Sequence, residues 1–164
     1  MAGNVTQNGS VSPGHAVVWT TNGIIQDGGS FPAGPRVLAR QLGASFSTTT
    51  DQPIVLPQTV SAFQLTGIIV TNASISLNVA QGGFYPQPGK VGAPLVLSTQ
   101  IYSVLLSNTI LMQPALTAYA MTTRFTTAIL APIGTQMAIY FSLGSAQTGA
   151  ATADIYILGV DLSP

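Results

Sequence analysis

The 164-residue chain has no cysteine, no glutamate and a single histidine, His15, and only 5% of its residues are charged. Without cysteine there is no disulfide, no thiolate metal site and no thiol nucleophile. The acids are Asp27, Asp51, Asp154 and Asp161 and the bases are Arg36, Arg40, Lys90 and Arg124. Four scattered bases make no stripe that could follow a phosphate backbone, so nucleic-acid binding is not expected. His15 sits in Ser12-Pro13-Gly14-His15, remote in sequence from any carboxylate, so no hydrolytic triad is suggested. Four aspartates allow acid pairs, but no motif recommends one for glycoside hydrolysis. With no His/Cys cluster a transition-metal site has no support, while calcium held by carbonyls and isolated aspartates stays open. Gly82-Gly83 lacks the Gly-Lys-Ser/Thr ending of a phosphate loop. The chain is therefore expected to be non-enzymatic and to use no cofactor.

Long apolar runs are missing too. Lys90 to Arg124 is uncharged between its ends, but Pro94, Ser107-Asn108-Thr109 and Gln113-Pro114 interrupt it before about 18 apolar residues accumulate. No membrane span is expected. Met1-Ala2-Gly3-Asn4-Val5 has neither a basic nor an apolar signal region, so no secretory signal is expected.

What is present is hydropathy without charge. Mean hydropathy is +0.46, formal net charge is +0, and 5% of residues are charged, against roughly 25% in an average soluble domain. The polar load sits on Ser, Thr, Asn and Gln, which solvate a surface yet are cheap to press against another protein. Weakly charged, neutral surfaces associate. A plain Thr-rich β protein is one reading. A surface covered by partner subunits is the other, and it is the one favoured here.

The texture changes along the chain. Residues 1–57 are crowded with Gly, Pro, Asn and Ser. Within them Ala16-Val17-Val18-Trp19-Thr20 and Ile24-Ile25 flank Thr21-Asn22-Gly23, and Asn-Gly between apolar runs predicts a hairpin near 16–26. Ser47 to Asp51 reads as a linker, and Val37-Leu38-Ala39 as a helical turn or a strand. From about Ile54 the period becomes two, the signature of half-buried strands. It runs through Phe63 and Leu65, through Ile75, Leu77 and Val79, through Met137, Ile139, Phe141 and Leu143, and through Ile155 and Ile157. Thr122–Leu130 and Thr109–Met112 are further strand candidates. Ser98-Thr99 ahead of Ile101, Tyr102 and Leu105 predicts a short N-capped helix. The expected architecture is all-β, a jelly roll or β-sandwich over residues 58–164, with residues 1–57 as an extended arm carrying the hairpin.

Two stretches carry a resemblance. The run from Asn8 to Gly29, with Pro13-Gly14-His15, Trp19 and Gly23-Ile24-Ile25-Gln26-Asp27-Gly28, resembles a phrase near the N-termini of small tailed-bacteriophage structural proteins and some tail fibres. Gly82-Gly83-Phe84-Tyr85, Lys90-Val91-Gly92, Gln100-Ile101-Tyr102, Tyr140-Phe141-Ser142-Leu143 and Asp154 to Gly159 together resemble jelly-roll domains of phage decoration or fibre proteins. The resemblance implies a virion component on the particle exterior, made in the host cytoplasm and often trimeric, with the arm as anchor and the jelly roll outside.

Two functions follow as expectations. The first is a capsid decoration or cement protein bound to the major capsid protein or another virion protein. The second is a short head or tail fibre or spike that binds host surface polysaccharide. The anchor contact is expected at His15, Trp19 and Ile24, and the subunit interface at Arg124, Tyr140 and Tyr156. The tyrosines on strands also suit stacking on a host glycan, but tyrosine is enriched where subunits meet, and the interface is the reading favoured here.

Overall fold

A computed structural model describes residues 34–164 throughout and, before them, the backbone of three strands, β1 (Thr6–Gln7), β2 (His15–Trp19) and β3 (Ile24–Ser30). The chain divides into two compact units, 1–33 and 34–164. In the first, β3 pairs antiparallel with β2 and parallel with β1. The expected hairpin is thus present as a strand pair; its connecting residues 20–23 lie outside the described residues.

The second unit is an all-β sandwich of two antiparallel sheets. Five strands form the larger one, β4 (Arg36–Ser45), β12 (Thr152–Asp161), β6 (Ala62–Thr71), β8 (Leu111–Met112) and β9 (Arg124–Thr126). Their order is β4-β12-β6, with β8 and β9 bordering opposite ends of β6. The smaller sheet comprises β5 (Gln52–Val55), β11 (Gln136–Ser145), β7 (Gln81–Tyr85) and β10 (Pro132–Ile133), all pairing with β11. Single bridges from Phe84 to Val96 and from Gln81 to Ile101 extend it beyond β7.

Alternation explains β6, β11 and β12. Ile155 and Ile157 point inward and are fully buried, and Met137, Ile139, Phe141 and Leu143 do the same from the facing sheet. Between the sheets Phe141 packs on Phe46 and Phe84 at centroid distances of 4.8 and 5.0 Å, with Tyr102 edge-on to Phe46 at 5.1 Å. A second aromatic group, Phe63 stacked on Phe125 at 5.3 Å with Tyr119 edge-on, closes the end under β9. Such pairs add ~0.5–1.5 kcal/mol each beyond area burial.

The chain crosses from one sheet to the other between β4 and β5, a stretch the sequence texture groups with the arm. There the Gln52 side chain imitates a strand: its Oε1 accepts from Ser45 N at 2.7 Å and its Nε2 donates to Ser45 O at 2.7 Å. Phe46 follows, fully buried, with its N–H on Ala151 O and its carbonyl accepting from Gln147 N.

Three local expectations are corrected. Residues 74–79 alternate but form no strand: Ser74 N donates to Thr152 O and Leu77 N to Leu105 O, and only Leu77 is buried, with Ile75 and Val79 exposed. Residues 99–105 form turns instead of a helix, because Tyr102 N donates to Ala80 O and Ile101 bridges Gln81. The strand expected over 122–130 is confined to β9 and gives way to turns after Thr126. The one α-helix among the described residues is α1 (Ala118–Thr122), whose first turn Thr117 caps by accepting from Ala120 N at 3.2 Å. No helix among them is long and apolar enough to cross a membrane.

The edges of the larger sheet are blunted. β4 forms one edge, and two register shifts against β12 put an extra residue into it each time. The opposite edge is made of strands of two and three residues. Bulges and very short strands are how sheets discourage pairing with another chain's backbone.

Candidate interaction surface

Strand register sets rows on the outer face of the five-stranded sheet; one at its end is Asp154, Thr71 and Leu111, and three more follow. Arg40, Tyr156 and Ile69 lie side by side on β4, β12 and β6. The next row is Val37, Leu158 and Gly67. The third is Val160, Gln64 and Arg124, on β12, β6 and β9. β12 alternates between buried inward residues and half-buried outward ones, and its outward positions include Tyr156, Leu158 and Val160. Val37 is 52% exposed. At Gly67 an added methyl would meet the Gln113 side-chain nitrogen at 2.9 Å, so Gln113 lies over the far side of the middle row.

Charge on this face lies at its corners and along the β4 edge, where Arg40 is exposed beside Tyr156. Arg36 pairs with Asp161 at one corner. The Asp161 carboxyl is held below its usual range first by the Ser163 hydroxyl, then by the Ser163 N–H, with Arg36 adding to both. At the other end Asp154 accepts from Gly43 N at 2.8 Å and from Asn72 Nδ2 at 2.9 Å. Arg124 is exposed and its guanidinium donates to Leu162 O at 3.5 Å. Between these margins the middle row is apolar from Val37 to Leu158.

Of the residues singled out for the interface, register therefore puts Tyr156 and Arg124 on one face. Tyr140 is elsewhere. It lies on the outer side of the smaller sheet, opposite Tyr85 on the neighbouring strand, but is only 5% exposed. The expectation of a projecting Tyr140 is corrected: Tyr85, Ala138 and Tyr140 form a second small core with Val55 and Ala131 against it. The adjoining loop is tied down, with Ala131 N donating to Pro86 O, Gly89 N to the Asp51 carboxylate and Lys90 Nζ to Leu143 O. Burial raises the Tyr140 phenol, and the Asp51 charge adds to it. Burial likewise raises Tyr85, partly offset by a hydrogen bond with Ser98. It raises Tyr102 in the main core most of all.

The anchor residues His15 and Trp19 lie on β2 and Ile24 on β3, where Trp19 is in register with Ile25 and Thr6 with Ile24. Their side chains lie outside the described residues. Among the described residues no group of three or more His, Cys, Asp or Glu side chains converges in the way a metal needs.

The apolar outer face itself was not singled out from the sequence, although a signal existed. Ile155-Tyr156-Ile157-Leu158 does not alternate with polar residues, and a strand that is apolar on both sides meets an apolar neighbour on both sides. Comparison with family models, with curated proteins and with solved structures finds no match to this chain.

Proposed function

We propose that the chain is a structural, non-enzymatic subunit of a bacteriophage particle, a decoration protein that associates as a trimer on the outer shell and is held there through its N-terminal arm. The observation that carries this reading is the outer face of the five-stranded sheet, apolar through Val37, Leu158 and Ile69, with Arg40 on the β4 edge and the Arg36–Asp161 pair at a corner. An apolar centre with a polar rim is how subunit interfaces are built. A partner covering it would account for a surface with so few charges.

Strand order supports the same reading. β4-β12-β6-β8 faces β5-β11-β7 and the 96–101 segment, which is the order expected when two Greek keys wrap into a jelly roll, a fold used repeatedly in viral capsids. Fold alone does not fix function. The link to phage particles rests on the resemblance of Asn8–Gly29 and of the segments from Gly82–Tyr85 to Asp154–Gly159, and the separate compactness of residues 1–33 suits an arm that engages a shell protein.

The test is cryo-electron microscopy of the particle that carries the protein. Many shell copies, with residues 1–33 against the major capsid protein, are expected. A few copies at the tail or a vertex would replace decoration with the fibre reading. Trp19→Ala is expected to release the protein from the particle while leaving residues 34–164 folded; unfolding of that unit by Trp19→Ala would refute the anchor.

A further inference from the structure

We infer that a polar pocket at the Asp154 end of the five-stranded sheet binds a neutral saccharide unit. The pocket measures about 450 Å³ and its wall includes Asn72, Ser74, Ile75, Leu106, Asn108 and Asp154. That volume lies within the range of small-molecule sites and exceeds what one pyranose ring needs.

Its chemistry selects the ligand. Asp154 is oriented in advance, one oxygen held by Gly43 N and the other by Asn72 Nδ2. A carboxylate has about four acceptor sites, so each oxygen keeps capacity for a ligand hydroxyl, and two such acceptors side by side suit a vicinal diol. Asn72 holds a left-handed backbone conformation, φ 56°, that brings its side chain to the carboxylate. Having given one N–H to Asp154, it keeps its amide oxygen as an acceptor. Ser74 Oγ accepts from Thr152 N at 2.9 Å, which leaves its own hydroxyl proton to donate. In the same wall Ile75 and Leu106 are 43% and 58% exposed and offer aliphatic surface.

An anion is disfavoured by the one fixed negative charge. A metal ion would find a single carboxylate, already hydrogen-bonded on both oxygens. A purely apolar ligand would strand the amides and hydroxyls. A pyranose satisfies both halves of the wall, its C–H face against Ile75 and Leu106 and its hydroxyls toward Asp154 and Asn108. With no aromatic platform in the wall, binding is weak and specificity comes from the hydrogen bonds. This site does not rest on the assembly role, and the sheet face and the pocket are tested separately.

The test uses the full chain, isotopically labelled, titrated with D-galactose, D-glucose, N-acetyl-D-glucosamine and L-rhamnose while amide shifts are followed by NMR. The same chain is applied to an oligosaccharide array, which separates a site for free monosaccharides from one for the end residue of a polymer. Shifts at Asn72, Ser74, Asn108 and Asp154 are expected with at least one sugar or oligosaccharide. Asn108→Ala, an exposed position, and Asp154→Asn are expected to weaken binding by about tenfold each, the value of one polar contact. No shift at these amides with any sugar or array hit would overturn the inference. So would shifts that Asn108→Ala leaves unchanged. A response to arginine amide but to no sugar would also overturn it, because it would make the pocket a receptor for a basic side chain.

Discussion

Val37 is the most informative residue to change, because its contribution to the fold and its role in the proposed assembly separate cleanly. It lies in the middle row of the outer face, beside Leu158, and is 52% exposed. Val37→Asn removes an aliphatic side chain that the protomer leaves half in water. Burying that remaining half against a partner is worth ~1 kcal/mol, half of the ~1.5–3 kcal/mol for a whole aliphatic side chain. Stranding an amide in the same contact adds ~1–3 kcal/mol. Taking ~2 kcal/mol per copy, the proposed trimer loses ~6 kcal/mol, and because two associations build it, the concentration at half-dissociation is expected to rise ~150-fold. In the separated protomer the cost is that of a strand preference on an edge, ~1 kcal/mol or less, or ~2–4 °C in Tm. Sedimentation velocity over a dilution series measures the first quantity, and thermal unfolding of the dissociated protomer measures the second. An unchanged dissociation midpoint would remove this face from the interface. A much larger fall in protomer Tm would show that Val37 serves the fold instead.

Stability should fall as pH rises above about 10, the ordinary phenol value, because Tyr85, Tyr102 and Tyr140 are all raised by burial in the folded state. The unfolded chain loses those protons first and is favoured from there upward, so flat stability through this range, followed by denaturant midpoint, would contradict the buried placement of these tyrosines. Asp161 acts in the opposite sense: its lowered carboxyl contributes stability above its ordinary value of 3.8 that is lost as pH falls through the folded-state value. Asp161→Asn should therefore flatten the acid side of the pH–stability curve. Gly83→Ala should cost more than ~3 kcal/mol or prevent folding, because the added methyl would meet the Val96 and Leu97 carbonyl oxygens at 2.3 and 2.8 Å, backbone that cannot swing aside. Gly34→Ala, with open space around it, is the neutral control in the same melting experiment. Phe141→Ala should lower stability by ~3–5 kcal/mol, since its ring touches Phe46, Phe84 and Tyr102 at the centre of the sandwich.

Strands whose inward residues share one core were legible in the sequence. Phe63 and Leu65, Met137 to Leu143, and Ile155 with Ile157 each read as a period of two and each became a long strand. Residues 74–79 carry the same period yet hang between two different neighbours, Thr152 and Leu105, so their alternation matched no ladder. Around Ser98 a good cap and an i, i+4 pair lost to tertiary pairing with Ala80 and Gln81. Local propensity is a weak prior where a sheet edge offers better partners. Tyr156 and Tyr140 looked alike in sequence, both set among alternating apolar residues. Only the loop over Tyr140, pinned through Asp51, Lys90 and Pro86, separates a buried ring from a half-exposed one, and a pin made of residues 50 to 90 positions away leaves no local trace. The pocket at Asp154 was equally hidden, because its wall is gathered from four separate stretches of chain.

The bulged β4 edge and the two- and three-residue strands opposite it bear on how such a weakly charged protein avoids aggregation. With a formal net charge of +0, copies that meet have almost no electrostatic repulsion to keep them apart. If backbone could add to backbone, sheets would grow without limit and the product would be fibre. With both borders of the larger sheet spoiled for that purpose, the association proposed above would fall to side chains on the flat of the sheet, where it is reversible and stops at a fixed number of subunits. Straightening β4, by deleting the extra residues at both register shifts, is expected to favour open-ended association over the proposed trimer.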